Sequence, residues 1–278
     1  MLSYRHSFHA GNFADVLKHI VLVEIIQHLL KKDKPFDYID THAGAGLYQL
    51  NSEQASKTGE YLRGIAQLNP SHWPELSQYF EVIKSFNRAN ELNCYPGSPL
   101  IALELMRKQD KAWLFELHPA DFELLKLNTK KFSGVKTRQS DGFKGLLSVL
   151  PPTSRRGVVL IDPSYEIKTD YEQVINYLHK ALQKFASGIY ALWYPVVDRY
   201  RIDKMQRALL RMGIRDIQRF ELGIAEDSSN VGMTSAGMIV INPPWLMFDK
   251  MALLLPKLAK ILSGTDNVFY KCDILSTE

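Results

Sequence analysis

The chain has 278 residues, of which 46% are hydrophobic, and this is enough for one large α/β domain or for a domain that carries an insert. Its net charge of +4 is compatible with nucleic-acid binding without being specific to it. The two cysteines lie far apart without metal-ligand spacing, and no apolar run reaches the length of a membrane span. These features exclude a disulfide scaffold, a zinc finger and a membrane protein, and a cytoplasmic protein without a metal site is expected.

Residues 1–11 combine two aromatic side chains, two histidines and an arginine. Such an arm can clamp a base and its phosphates, and it can equally be a fastened terminus. A helix is predicted from Asn12, which suits an N-cap, because apolar residues recur at helical spacing as far as Leu29. Lys18 and His19 fall on or beside its polar face, where a solvated pair is the default expectation.

A strand is then predicted to run into a loop of small residues that ends at Gly46. Gly44 and Gly46 let the backbone turn sharply and approach a ligand. Asp40, at the strand end, can fix this loop or bind an ammonium group. The loop is closer to the cofactor loop of S-adenosylmethionine methyltransferases than to a dinucleotide fingerprint, because the G-x-G-x-x-G series is incomplete. A glycine loop that only turns is the alternative.

Residues 47–96 alternate between polar and amphipathic helical segments. We interpret them as an inserted helical subdomain within a main domain of residues 1–46 and 97–278. Helices are predicted inside the insert over 58–68 and 74–88. The main fold resumes where Ser98 is expected to cap a helix that begins at Pro99. The free N–H groups of that helix could meet the carboxylate of a cofactor.

Two further strands end in acids. Glu116 closes the first and could hold ribose hydroxyls, and removal of the insert gives it a normal distance in sequence from Gly46. Asp141 follows the second and could accept a hydrogen bond from the amine of a nucleoside cofactor, while Gly142 allows close approach. A plain Ser-Asp-Gly turn is the alternative for this pair.

The next strand, 157–161, is apolar throughout, as expected for a strand buried on both faces of a parallel sheet, and it breaks at Asp162. The Asp162 carboxylate and the Pro163 carbonyl could accept the two N–H bonds of an exocyclic amine and so help it to attack a methyl group. Tyr165 would stack on the base. A strand that simply ends in Asp-Pro is the alternative.

This turn resembles the D/N-P-P-Y/F motif of adenine-N6 and cytosine-N4 methyltransferases, with Ser164 at the second proline. Ser164 and Tyr165 are assigned to the substrate side of the site. Serine removes the restraint that proline would place on the preceding residue. We expect activity, since both acceptors remain.

Asn242-Pro243-Pro244-Trp245 matches the same motif better. We reject it on topology, because the last strand of a seven-stranded methyltransferase sheet runs antiparallel and would carry this turn away from the cofactor. Pro243 and Pro244 are then expected to end an edge strand.

Four stretches together, His9–His19, Asp40–Gly46, Tyr95–Pro99 and Ala191–Pro195, are specific. Over nearly its whole length the chain resembles the RlmJ family of bacterial 23S ribosomal RNA adenine-N6 methyltransferases. The resemblance implies a Rossmann-like class I fold with a seven-stranded, mostly parallel sheet and a small helical insert, acting as a monomer with S-adenosylmethionine on a single-stranded or flipped-out adenine of 23S rRNA. It implies a cofactor site lined by Lys18, His19, His42, Ser98, Glu116, Asp141 and Gly142, with Asp162 as the catalytic acceptor and Tyr4 and His6 over the substrate pocket.

Two other functions stay open at this point. The first is a nucleic-acid-binding protein of external DNA catabolism whose methyltransferase site has decayed. Ser164 in place of the second proline motivates this hypothesis. A DNA adenine-N6 methyltransferase differs only in substrate, and the lack of an obvious target-recognition domain counts against it. The preference for RNA rests on the resemblance and not on an individual residue.

Overall fold

The computed structural model describes residues 5–88, 91–167, 169–227 and 232–277. Tyr4, predicted to lie over the substrate pocket, falls outside these residues. The α-helices that they form are α1 (Phe13–Leu30), α2 (Glu53–Thr58), α3 (Ser77–Ser85), α4 (Ser98–Leu105), α5 (Pro119–Thr129), α6 (Gly142–Val149), α7 (Asp170–Lys184), α8 (Arg199–Leu210) and α9 (Met247–Ser263). The strands are β1 (Asp37–Asp40), β2 (Leu47–Gln49), β3 (Cys94–Pro96), β4 (Lys111–Glu116), β5 (Val135–Gln139), β6 (Gly157–Ile161), β7 (Ile189–Val196), β8 (Ile217–Gly223), β9 (Ser235–Ile241) and β10 (Phe269–Ser276).

The central sheet confirms the predicted α/β class. Its strand order is β10-β8-β9-β7-β6-β1-β4-β5, and the run from β7 to β5 is parallel throughout. Within the described residues this sheet has eight strands, so the prediction of seven is wrong by one. The additional strand is β10, which pairs antiparallel with β8 at the outer edge.

The Asn242–Trp245 turn follows β9 and lies away from the end of β6, as the argument against this motif requires. β9 runs antiparallel to β7, so its carboxyl end is at the opposite edge of the sheet from that of β6. Trp245 in this turn is 84% exposed. However, β9 lies between β7 and β8 and is an interior strand, so the expectation that Pro243 and Pro244 end an edge strand is wrong.

The core has two parts, one on each face of the sheet. Successive side chains of β6 point alternately into the two parts. Val158 and Leu160 of β6 face the part that includes α1, α4 and α9. Val159 and Ile161 face the part that includes α6, α7 and α8. Both faces are therefore covered by helices, and this explains the continuous apolar run of β6.

Helix α1 is buried on all sides, which overturns the expectation that Lys18 and His19 form a solvated pair. The side chains of both residues are buried. The physical reason is packing by the 47–96 segment, because α3 and the turns before it contact α1 and share its core. A helix that is covered on both sides has no wet face for its polar residues.

The 47–96 segment begins and ends on one ribbon, since β2 pairs antiparallel with β3. Its predicted helix over 58–68 is wrong, because these residues form short 3-10 turns at Glu60–Arg63 and Ile65–Gln67. Trp73 and Tyr79 of the segment belong to the same core part as α1. The division into a main domain and an inserted subdomain stays a prediction. Among the described residues we find no helix whose length and apolar character would let it cross a membrane.

The docking of α9 on the sheet can be tested with two leucines of that helix. Leu255 is fully buried, whereas Leu253 is 69% exposed. Leu255→Ala should lower the free energy of unfolding by about 2–5 kcal/mol, since it leaves a cavity. Leu253→Ala, the matched control, should change it by about 0.5 kcal/mol or less. Chemical denaturation measures both, and equal losses would show that α9 docks by another face.

Candidate active site

The carboxyl ends of the parallel strands bring the predicted acids to one edge of the sheet. Asp40 of β1 is in register with Leu114 of β4 and with Leu160 of β6. Glu116 and Asp162 lie two residues beyond those partners, so the three carboxyl groups come from neighbouring strand ends. Ligands of open α/β sheets bind at this edge.

Asp40 fastens the glycine loop to the neighbouring elements. Its carboxylate accepts hydrogen bonds from the Tyr38 hydroxyl at 2.5 Å, from Ser98 Oγ at 2.7 Å and from the His42 amide at 3.2 Å. Burial raises the pKa of Asp40, and the donors oppose that rise. Ser98 is the first residue of α4 and Gly97 takes the cap position, so the prediction that Ser98 is the N-cap is wrong. These contacts correspond to the loop-fixing role of Asp40 rather than to a bound ammonium group.

The glycine loop is drawn tightly against its surroundings. Gly44 has φ of +62°, and a Cβ at this position would lie 2.2 Å from the Tyr48 hydroxyl. The Gly44 amide donates to Glu116 Oε2 at 2.8 Å, and the His118 amide donates to Oε1 at 2.6 Å. Burial raises the pKa of Glu116 despite these donors. The loop therefore admits only glycine at this position and holds Glu116 beside it. Gly46, with φ of +82°, makes the second turn.

The turn after β5 lies against the turn after β1. Asp141 caps α6, because its side chain accepts from the Lys144 amide at 3.1 Å. Gly142 packs so closely that a Cβ would lie 1.7 Å from the Thr41 carbonyl oxygen. His42 is half-buried, and burial lowers its pKa to about 4, with Asp141 opposing, so the imidazole is neutral at pH 7.

A buried ion network joins α1 to the end of β6. Lys18 Nζ lies 2.6 Å from Asp162 Oδ2 and 2.8 Å from Asp15 Oδ1. Burial opposes the charge of Lys18, but the two carboxylates outweigh it and raise the pKa of Lys18. Burial raises the pKa of Asp162 to about 6, and Lys18 limits that rise. Burial likewise opposes ionisation of Asp15, but His6 and Lys18 hold its pKa well below the usual range.

The N-terminal arm meets this network through His6. His6 Nε2 lies 2.8 Å from Asp15 Oδ2, which also accepts the Gly11 amide at 2.9 Å. The His6 ring packs edge-on against Tyr48, with centroids 4.9 Å apart. Asp15 therefore connects His6 to the Lys18–Asp162 pair.

The turn after β6 holds two acceptors that no described residue engages. Asp162 is 14% exposed, and within the described residues no hydrogen bond engages its Oδ1 or the Pro163 carbonyl. Tyr165 has φ of +54°, and its hydroxyl donates to the Trp193 carbonyl at 2.7 Å. Its ring packs on Tyr171 at 4.5 Å, so this tyrosine is itself held in place. Ser164 is half-buried beside it.

Three residues of the site carried no prediction from the sequence. Asp15 is the first of them, and its i,i+3 spacing to Lys18 is the signal for an ion pair that the sequence offered. The Lys18 ammonium lies 5.9 Å from the centroid of the Trp193 ring. The indole nitrogen of Trp193 is buried without a partner among the described residues. Tyr95 binds His19, with its hydroxyl 2.7 Å from Nδ1.

The edge has the chemistry that a nucleoside cofactor with an amino-acid end would need. Glu116 offers a carboxylate for a diol, Asp141 an acceptor for an amine, and Gly142 a position without a side chain. His19 adds a ring nitrogen. Burial lowers its pKa to about 3, so the ring is neutral at pH 7; Nδ1 lies 2.7 Å from the Tyr95 hydroxyl, and the buried Nε2 has no partner in the described part of the chain. Among the described residues no cluster of three or more potential metal ligands occurs.

Comparison with known proteins gives concordant matches. The family model described as RsmJ, ribosomal RNA large subunit methyltransferase D, RlmJ, matches residues 33–271. The chain is 55% identical over 258 residues to ribosomal RNA large subunit methyltransferase J of Escherichia coli K12, covering 92% of each chain. It is 48% identical over 265 residues to the protein of the same name from Haemophilus influenzae Rd, covering 94% of each. A crystal structure of protein LPL1258 from Legionella pneumophila superposes with a TM-score of 0.86 at 34% identity, covering 96% of this chain and 98% of that one.

The ion network predicts a pH-dependent cost for the loss of its cation. Lys18→Met removes the ammonium partner of the buried Asp162 carboxylate and one of the two groups that hold the pKa of Asp15 low, and should lower the free energy of unfolding by about 3 kcal/mol at pH 8. The pKa of Asp162 is already raised to about 6 and rises further without Lys18, so at pH 5 this carboxyl is neutral and the loss should be smaller.

Urea denaturation at the two pH values measures this difference, with Lys126→Met as the control, because Lys126 is a surface residue paired with Glu123. A loss for Lys18→Met that is the same at pH 5 and pH 8 would contradict the buried-pair electrostatics.

Proposed function

The chain belongs to the RlmJ family of ribosomal RNA large subunit methyltransferases, and on that premise we propose that it transfers a methyl group from S-adenosylmethionine to N6 of an adenine in 23S ribosomal RNA. The observation that carries this proposal is the turn after β6, where Asp162 Oδ2 is held by Lys18 at 2.6 Å while no described residue engages Oδ1 or the Pro163 carbonyl. An enzyme that acts on ribosomal RNA works in the cytoplasm, which is the compartment we propose.

The two open acceptors address the weakness of the nucleophile. An exocyclic amine of adenine reacts poorly because its lone pair is delocalised into the ring. Hydrogen bonds from its two N–H groups to Asp162 Oδ1 and to the Pro163 carbonyl favour a pyramidal nitrogen whose lone pair points at the methyl group. Lys18 keeps the carboxylate in one orientation, so the acceptor is in place before the base arrives.

Asp162 Oδ1, which accepts a hydrogen bond from the amine, can also accept the proton that leaves N6. With a pKa of about 6, Asp162 is ionised at pH 7 and is more basic than an ordinary aspartate. Its Oδ1 can therefore accept the proton once the new N–C bond has formed. S-adenosylmethionine supplies the electrophilic methyl group when it is bound.

Residues of this chain would hold the donor by the chemistry already described. Asp40, Gly44, Gly46 and Ser98 shape the loop and the helix start beneath it, and Glu116, Asp141 and Gly142 receive its nucleoside end. Lys18, His19 and His42 complete the wall. His6 and Tyr165 are proposed to border the substrate adenine, which must be single-stranded or flipped out because the amine of a paired base is not accessible.

The central experiment compares wild type with Asp162→Ala. Labelled methyl transfer to protein-free 23S rRNA should fall at least about a hundredfold, because the acceptor of the reacting amine is lost. Glu172→Ala, which removes an exposed carboxylate of α7, should retain wild-type transfer.

Genomic DNA is assayed beside the RNA. Transfer to DNA in preference to RNA would overturn the RNA assignment in favour of a DNA adenine methyltransferase. Absence of transfer to either polymer would favour a nucleic-acid-binding protein without this activity.

The pH dependence of kcat provides a second test. Because Asp162 must be ionised to accept, kcat at saturating RNA and donor should fall as the pH drops through about 6. The binding constant of S-adenosylmethionine over the same pH range serves as the control. An acid limb near pH 4, the ordinary range for aspartate, would show that the buried Asp162 carboxylate does not limit the reaction.

A further inference from the structure

The end of α2 and the 3-10 turns that follow it hold residues 8–12, where the N-terminal arm joins α1. Thr58 Oγ1 donates to the Phe8 carbonyl, and the Ile65 amide donates to the Gly11 carbonyl at 2.9 Å. The approach is so close that a Cβ on Gly64 would lie 2.1 Å from the Gly11 carbonyl oxygen. This contact is built from backbone and side chain together, over residues 8–12 on one side and 58–65 on the other.

One carboxylate at the centre of this contact holds two parts of the arm at once. Glu60 Oε1 lies 2.8 Å from His9 Nδ1, and Glu60 Oε2 accepts from Asn12 Nδ2 at 2.9 Å. The hydrogen bond to Glu60 raises the pKa of His9, with burial opposing, and the pKa of Glu60 is lowered by His9 and Asn12 although burial opposes that change. The two residues thus favour each other's charged forms.

Asn12 passes this restraint to the catalytic network. Its Oδ1 accepts from the Asp15 amide at 2.9 Å, so the same side-chain amide caps α1 and binds Glu60. Asp15 in turn contacts Lys18, and Lys18 contacts Asp162. A continuous series of polar contacts therefore leads from the insert to the reacting carboxylate.

We propose that Glu60 is a positioning residue for methyl transfer: through His9 and Asn12 it fixes the arm and the first turn of α1, so that Asp15 and Lys18 hold Asp162 in its reactive orientation. This inference rests on the proposed function of the Asp162 site. It assigns to residues 58–65 of the insert a role in aligning the reaction, distinct from any contact with RNA.

The test is the pH profile of kcat for Glu60→Ala, measured on 23S rRNA with saturating donor. We expect kcat at pH 8 to fall about tenfold, because small misplacements of reacting groups are costly. We also expect the acid limb to move upward by about half a pH unit, since a loosened Lys18 stabilises the Asp162 carboxylate less. A purely structural loss would reduce the amount of active enzyme and leave the limb where it is.

Two further variants sharpen the comparison. Glu60→Gln keeps an oxygen for Asn12 and offers an N–H to the neutral His9 ring, and should recover kcat to within about threefold of wild type. Glu81→Ala removes an exposed carboxylate from α3 of the same insert and should leave both kcat and the acid limb unchanged. The dissociation constant of S-adenosylmethionine should change less than kcat does in every variant, because Glu116 and Asp141 lie on other elements and only Lys18 and His19 of its proposed site belong to α1.

The outcomes separate this inference from the proposed function. Wild-type transfer with an unmoved limb and kcat within about twofold in Glu60→Ala would overturn the positioning role alone. Absence of transfer by the wild type would overturn the proposed function and the inference with it. Where Glu60→Ala does not fold, His9→Ala breaks the same contact from the arm side, and a limb that stays in place in that variant overturns the proposal equally.

Discussion

The arrangement of the site depends on one buried ammonium group between two buried carboxylates. Lys18 lies within 2.8 Å of Asp15 and within 2.6 Å of Asp162, with all three side chains largely withdrawn from water. Such a group is stable only while the ammonium is present, because the loss of Lys18 leaves buried carboxylate charge uncompensated. The pairing therefore requires α1 to lie where its second turn meets the end of β6, and much of the fold serves that placement. The sheet supports α1 on one side and the insert covers it on the other.

The strand-end acids could be predicted because they depend on local pattern and on parallel topology. A buried strand shows itself as a continuous apolar run, and its last residue must then lie at the ligand-binding edge. Register makes this exact, since Asp40, Glu116 and Asp162 lie at or within two residues of one level. The motif after β6 likewise needed only local residues. The direction of β9, on which the rejection of Asn242–Trp245 rests, is antiparallel as expected, and the direction of a strand decides which edge its end reaches.

The contacts of Lys18 and His19 could not be predicted from the helix period, which assumes that one face of a helix is wet. Here that face is covered by residues 50 positions later in the chain, and nothing in the period of α1 reports this packing. Only the resemblance pointed to these two residues. The prediction of seven strands missed β10 for a related reason. The residues of β10 are half-exposed at the sheet edge, and their pairing with β8 is decided by the tertiary fold.

The three acids at the ligand edge are alike in burial but differ in how they are satisfied, and this difference separates their roles. Burial raises the pKa of Asp40, Glu116 and Asp162 alike. Asp40 accepts hydrogen bonds from three fixed donors, and each oxygen of Glu116 accepts one backbone amide, so both carboxylates already hold the glycine loop or the turn beside it. Among the described residues Asp162 is bound at one oxygen, by a cation that maintains its charge without occupying the other oxygen. A buried carboxylate that is ionised, oriented and still open at one atom suits the acceptance of a proton, and within this set only Asp162 has all three properties.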